Sequence, residues 1–220
     1  HLVALYPASD KTDEGLNGNV RTLELPATQQ YEAESFGQGA YPMLAVSDDG
    51  TLSFKNLCAV LKVSLTGDES VNSIKFIAND SWAAVSGKAT VRTDFTTVPE
   101  LVMSDDASPE VTLKCGSVDL DPSVPTDFFI VIPAGTYHGG FSLEIKTFNG
   151  TVTRSTSKDI TFERSQFRAI PAFNCEGTGE IDPDNLPYNQ IWYKTRWGGT
   201  ADFYAGAFDA GIVSNTYEIS

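Results

Sequence analysis

From Leu52 to Leu65 apolar and polar residues alternate so that Leu57, Ala59, Leu61, Val63 and Leu65 share one side, the two-residue period of a strand with one buried face. Phe141–Thr147 repeats the pattern, with Phe141, Leu143 and Ile145 on one side and Ser142, Glu144 and Lys146 on the other. Ile74 and Phe76 share a face within 71–78, and further short runs at 88–92, 100–103, 110–115, 151–157 and 168–173 are each bounded by turn residues, the punctuation of consecutive strands. Phe128 to Ile132 is apolar throughout and closed by Pro133, which predicts a central strand covered on both faces. Phe148-Asn-Gly150 lies between two alternating runs and predicts a hairpin, because Asn and Gly tolerate the positive φ that tight turns demand. Strands at this spacing, with no helical period between them, imply antiparallel sheets packed as a sandwich.

The ends of the chain read differently. Leu2 to Tyr6 predicts a strand stopped by Pro7, and Val20 to Leu25 another stopped by Pro26; the polar stretch 27–39 and the run Pro42 to Val46 read as connection rather than core. After Cys175 the segment 176–187 is acidic and rich in Gly and Pro, the composition of a linker. The expected organisation is the end of an N-terminal β-domain and its connection over 1–46, a sandwich domain over 47–175, a linker over 176–187, and the start of a second small module over 188–220. The chain begins with His1 rather than Met, so a signal or anchor sequence is expected to have preceded it.

Composition agrees with this class. Thirteen Phe, eight Tyr and three Trp among 220 residues favour pleated packing, and eighteen Gly with eleven Pro supply turns. A net charge of −14 repels phosphate backbones and anionic headgroups, which argues against a nucleic-acid partner. Cys58, Cys115 and Cys175 are too few for a disulfide scaffold and form no Cys-x-x-Cys pair; they read as small core occupants.

Chemistry finds little footing. His138, in the glycine-rich stretch 135–140, is the sole internal histidine and reads as a turn residue rather than a general base. The acids at Asp105, Asp106, Asp119, Asp121, Asp127, Glu180, Asp182 and Asp184 lack the spacing of a calcium loop and read as solvated turns. Neither zinc nor nucleotide spacing occurs. No catalytic residue, cofactor or metal is therefore expected, and the function class is binding rather than catalysis. Trp192, Tyr193 and Trp197, followed by Phe203 and Tyr204, form the candidate ligand or docking surface, docking being the simpler role for so much apolar area in a short segment. Trp82 reads as a core residue beside a turn.

An ordered set of residues carries a resemblance: Leu23 to Pro26 with Gln29 and Tyr31, Ser35-Phe-Gly37, Pro42-Met43, Phe54-Lys-Asn-Leu57, Ser73-Ile74 and Gly87, then Phe129 to Pro133 with Phe141, Arg164-Ser165 and Ile170-Pro171. Over roughly residues 1 to 175 the chain resembles the fimbrillin-like surface proteins of Bacteroidales. The tail, with Asn189 to Tyr193, Ala207-Phe208 and Ile212 to Tyr217, resembles the segment that opens leucine-rich-repeat regions in BspA-like surface proteins, although no such repeat follows. The resemblance implies a transthyretin-like antiparallel β-sandwich of Greek-key type, with Leu2 to Pro7 as a remnant of a preceding domain. It also implies a non-enzymatic cell-adhesion protein or fimbria-related pilus subunit, held at the outer membrane as a lipoprotein. Its partners would be other surface or pilus proteins, or host proteins or glycans, with the membrane reached only through an anchor absent from this chain. The rival reading is a carbohydrate-binding β-sandwich module of a surface glycan-binding protein.

Overall fold

The computed structural model describes residues 2–7, 20–80, 82–93, 99–176, 179–181, 188–190 and 215–217, and every regular element among them is a strand. In chain order these are β1 (Leu2–Tyr6), β2 (Val20–Leu25), β3 (Thr28–Glu32), β4 (Ser35–Phe36), β5 (Met43–Ser47), β6 (Leu52–Asn56) and β7 (Cys58–Thr66). There follow β8 (Ser70–Ala78), β9 (Gly87–Arg92), β10 (Glu100–Met103), β11 (Glu110–Asp119), β12 (Thr126–Pro133), β13 (Gly135–Tyr137) and β14 (Phe141–Thr147). The last are β15 (Thr151–Thr156), β16 (Ile160–Phe162), β17 (Gln166–Asn174), β18 (Gly179–Glu180), β19 (Tyr188–Gln190) and β20 (Asn215–Tyr217). The protein is all-β, as its residue pattern predicts, but its sheets are mixed rather than antiparallel throughout: β7 runs parallel to β17, β3 to β11 and β15 to β18, pairings between segments far apart in sequence that no local pattern marks.

Two sheets make the sandwich. One runs β18-β15-β14-β8-β11-β3-β4 and the other β12-β7-β17-β19. Between them lies the larger core. Ile74, Phe76, Leu113, Phe141, Leu143 and Ile145 from the first sheet meet Leu61, Val63, Leu65, Phe128, Ile130 and Ile170 from the second, all essentially removed from water. Burial of each such side chain is worth about 1.5–3 kcal/mol. The pair β13 and β16 closes one end with Tyr137, Ile160 and Phe162; Phe76 stacks on Phe141 at 5.0 Å and meets Tyr137 edge-on at 5.8 Å, both favoured ring geometries.

A second core covers the opposite face of the smaller sheet. Cys58 and Val60 of β7 and Val131 of β12 pack with Leu23 and Leu25 of β2, Ala89 and Val91 of β9, and Ala40, Tyr41, Leu44 and Leu57. Successive residues of β7 thus point into different cores, Ala59 and Leu61 into one and Cys58 and Val60 into the other, as strand geometry requires. The stretch from 20 to 46, read from sequence as connection, therefore supplies core: Leu23, Leu25, Ala40, Tyr41, Leu44 and Ala45 are all buried. Alternation was diluted there by polar residues whose partners lie far away in sequence.

Three local readings change. The run 52–65 is two strands in different sheets, β6 lying beside β5 and β7 beside β12 and β17; the chain steps across at Leu57, whose N–H bonds the Pro42 carbonyl at 3.0 Å and whose side chain enters the second core. β11 continues beyond Cys115 to Asp119 through a register shift after Lys114, with Gly116 at φ +72°, a conformation glycine adopts without steric cost. β12 is covered on both faces as expected, but among the described strands it is an edge in the hydrogen-bonding direction, pairing with β7. The hairpin at 148–150 forms as the Asn-Gly signal predicts, closed by Thr147 N–H on the Gly150 carbonyl at 2.8 Å.

Candidate functional site

The open edge of β12 shows how the interior is held. Gln29 of β3 is 4% exposed; its Nε2 donates to the Val131 carbonyl at 2.7 Å and its Oε1 accepts the Val131 N–H at 2.9 Å. The carboxamide thus does the work of a neighbouring strand, pairing two edge groups that would otherwise be buried without partners. A second clasp is Arg164, whose guanidinium donates to the Asn56 carbonyl at 2.6 Å; burial pulls its pKa below the ordinary arginine value. Tyr41 Oη and the Ser165 N–H both donate to the Cys58 carbonyl at 3.0 Å.

At the end of the sandwich where β8 finishes and β14 begins, three loops are fastened together. Asn79 is the centre. Its Nδ2 donates to the carbonyls of Gly139 at 2.7 Å and Thr156 at 2.8 Å, its Oδ1 accepts from Ser142 Oγ at 2.9 Å, and its N–H reaches the Gly140 carbonyl at 3.1 Å. Gly140 sits at φ +73° against the Thr156 backbone, where a Cβ would collide with the carbonyl oxygen; glycine alone fits. Asp159 ties the same loop from the other side, accepting His138 Nδ1 at 2.8 Å and the Gly139 N–H at 2.9 Å. These bonds hold the Asp159 carboxyl below its usual range, the Gly139 N–H first and His138 second, and the Asp159 carboxylate raises His138 above the ordinary imidazole value. His138 is exposed at its turn, as expected from sequence.

Beside this cluster stands Trp82. Its backbone N–H bonds Asp80 Oδ1 at 3.0 Å, and Ala83 N–H bonds the Asp80 carbonyl at 3.0 Å, a side-chain-supported turn. The indole is 91% exposed, which corrects the expectation of a core residue: the turn that Asp80 closes carries the ring outward from the strand end. Asp80 also lies within electrostatic reach of His138. At the opposite end, Phe148 at the hairpin tip is 86% exposed, and Val124 is exposed on the loop before β12.

The other sequence candidates fall as follows. Trp192, Tyr193 and Trp197, with Phe203 and Tyr204, lie outside the described residues, as do Asp182 and Asp184; β19 and β20, to either side of the three, run along β17 and β6 respectively. Asp105, Asp106, Asp119 and Asp121 are exposed, whereas Asp127 is half-buried and pairs with Lys62 at 2.7 Å. Among the described residues no three His, Cys, Asp or Glu side chains gather as a metal site, and no helix is long and apolar enough to cross a membrane. The three cysteines are unbridged; Cys58 and Cys175 are buried, and burial pushes all three thiols up, Cys115 to about 12 and Cys175 to about 11, consistent with packing rather than thiolate chemistry. The clasp by Gln29 was missed because its partner lies 102 residues away; a lone glutamine carries no local signal.

No family model matches the chain, and no curated protein matches it. Among solved structures it is similar to a Bacteroides ovatus protein provisionally named a cell adhesion protein, at 9% identity and a TM-score of 0.47, with 86% of this chain covered. The chain spans 65% of that structure's length.

Proposed function

We propose that this chain is a non-enzymatic surface protein of the fimbrillin-like class that acts in adhesion. The observation that carries the reading is the loop end built on Asn79 and Asp159, where a hydrogen-bonded frame holds three loops in one arrangement and sets the exposed ring of Trp82 at its margin. A binding surface of this kind loses little conformational freedom when a partner arrives. The residues that carry the resemblance support the same class, because several of them make the fastenings between layers: Gln29 on Val131, the 54–57 segment through its Asn56 carbonyl on Arg164, and Gly87 at φ +111° against Ala107.

In this reading the sandwich is transthyretin-like. The full-length protein sits on the outer face of the outer membrane through a lipid anchor, and its partners are host or bacterial surface molecules met without turnover. The test is attachment: beads coated with the purified chain are washed over epithelial cells and over bacterial lawns under shear. Retention above albumin-coated beads on either surface is expected. Retention no greater than that of albumin-coated beads on both surfaces would overturn the reading.

A further inference from the structure

We propose that Asn149-Gly150 is a site of spontaneous deamidation, at which the folded chain converts a side-chain amide into a carboxylate and so releases the β14–β15 hairpin from the loop before β8. This holds whatever the chain binds. Asn149 is exposed at the tip between β14 and β15 and is followed by glycine, the residue that screens its own nitrogen least, having no Cβ and the freest backbone. Beyond the adjoining residues, no atom lies within 4 Å of where a Cβ on Gly150 would stand. The hairpin closes through the Gly150 carbonyl, which accepts the Thr147 N–H at 2.8 Å and Thr147 Oγ1 at 3.2 Å, whereas the Gly150 N–H has no hydrogen-bond partner among the described residues. The attacking nitrogen is thus left out of the ladder.

The chemistry is a displacement followed by a hydrolysis. Gly150 N gives its proton to solvent and forms a bond to Asn149 Cγ; the Cγ–Nδ2 bond breaks and ammonia leaves, closing a cyclic imide. Water opens the imide at either carbonyl, giving aspartate, or isoaspartate with the main chain routed through the former side chain. The sum is amide and water to acid and ammonia, with no change of oxidation state. Other asparagines are held back. Asn79 has Nδ2 on the Gly139 and Thr156 carbonyls and Oδ1 on Ser142 Oγ, which fixes its amide, and after Asn174 the Cys175 N–H is committed to the Thr66 carbonyl at 2.8 Å.

The amide that is lost makes a contact between loops. Asn149 Nδ2 donates to Glu69 Oε1 at 3.1 Å, and Thr147 first and Asn149 second hold the Glu69 carboxyl below its usual range. Glu69 is itself tied to a third loop, its carbonyl accepting the Leu120 N–H at 3.0 Å, with the Gly67 N–H on the Asp121 carbonyl at 3.1 Å. Deamidation replaces the donor by an acceptor and sets like charges face to face. The hairpin tip, with its exposed Phe148, then loses this tie.

The test incubates the folded full chain in mildly alkaline buffer at body temperature, follows every asparagine-containing peptide by mass spectrometry and scores isoaspartate by enzymatic methylation. Wild type is compared with Gly150→Ala, Asn149→Gln and Asn149→Asp, each checked for wild-type β-sheet circular dichroism. The 149 peptide is expected to pass from amide to acid mass several-fold faster than the Asn79 and Asn174 peptides, to slow several-fold in Gly150→Ala, and to show no conversion at that position in Asn149→Gln. In Asn149→Asp the amides of 67–70 and 148–151 are expected to exchange faster than in wild type, and the Glu69 titration to move up. Persistence of Asn149 as long as Asn79 would overturn the proposal. So would conversion in urea but not in the folded chain, or conversion confined to Asn17-Gly18, the other such pair in the sequence. Unchanged exchange with an unmoved Glu69 in Asn149→Asp would overturn the release of the hairpin.

Discussion

His138 and Asp159 give the clearest consequence at the scale of single residues. Both are exposed, so their contact contributes modestly to stability, but its pH dependence has a definite shape. The His138 pKa is raised above 6.5, so its contribution is full below that value and fades as pH climbs through the folded-state pKa; the Asp159 pKa is lowered below 3.8, so its contribution is full above that value and fades as pH falls through the folded-state pKa. The pair therefore stabilises most between about 4 and about 6.5. Replacing Asp159 with Asn is expected to bring the His138 imidazole titration, followed by NMR, down toward the unperturbed value and to flatten the pH profile of stability in that window. An unmoved His138 titration would show that the contact is not formed in solution. From sequence, His138 was legible as a turn residue because glycines surround it. Its partner was not, since nothing local to Asp159 marks a bond across 21 residues. Trp82 was misread for a related reason: an aromatic next to strand residues is ordinarily buried, and only the turn closed by Asp80 reveals the outward direction.

Among the elements, β12 is the most instructive. Its apolar run announces burial on two faces, and the structure agrees, but an apolar run says nothing about which neighbours supply hydrogen bonds. The edge at Val131 is completed by one side chain, Gln29. Gln29→Leu is expected to keep the volume while leaving the Val131 N–H and carbonyl buried and unpaired, at about 1–3 kcal/mol for each group, read as a lower urea midpoint with an unchanged slope. Gln29→Glu retains the acceptor but opposes an oxygen to the Val131 carbonyl, so it is expected to be at least as harmful near neutral pH; a variant as stable as wild type would show that water or another group satisfies this edge. Strands with clear alternation, such as β8 and β14, were legible nearly to the residue, because one buried face imposes a two-residue period. The short strands β3, β4, β13 and β16 were not: β3 pairs in parallel with β11, and β13 pairs with β16 across an intervening hairpin, relations that leave no mark in a local window. The break between β6 and β7 was hidden for the opposite reason, since the alternation runs through Leu57 while the chain changes sheets.

For the molecule as a whole, the decisive feature is that β7 and β12 face two cores at once. A segment behaving as a separate connection would unfold apart from the sandwich, whereas Leu23, Leu44 and Tyr41 share one buried cluster with Cys58, Val60 and Val131. Thermal and urea unfolding are therefore expected to give one transition, coincident by circular dichroism and by the hydrogen exchange of amides in β2, β7 and β14. Leu61→Ala, in the larger core, is expected to lower the whole transition by about 2–5 kcal/mol and to destabilise the amides of β2 along with the rest. Separate transitions would make residues 1–46 a unit of their own. All-β class and sandwich packing were legible in the spacing of the strands; the second core was not, because the polar residues of 27–39 mask how near their flanks come to β7. There remains what the Asn79 knot means for encounter. Since that side chain secures its loops in advance, complex formation at this end would require no slow rearrangement, and under the proposed adhesive role capture would proceed at the tempo of collision and orientation.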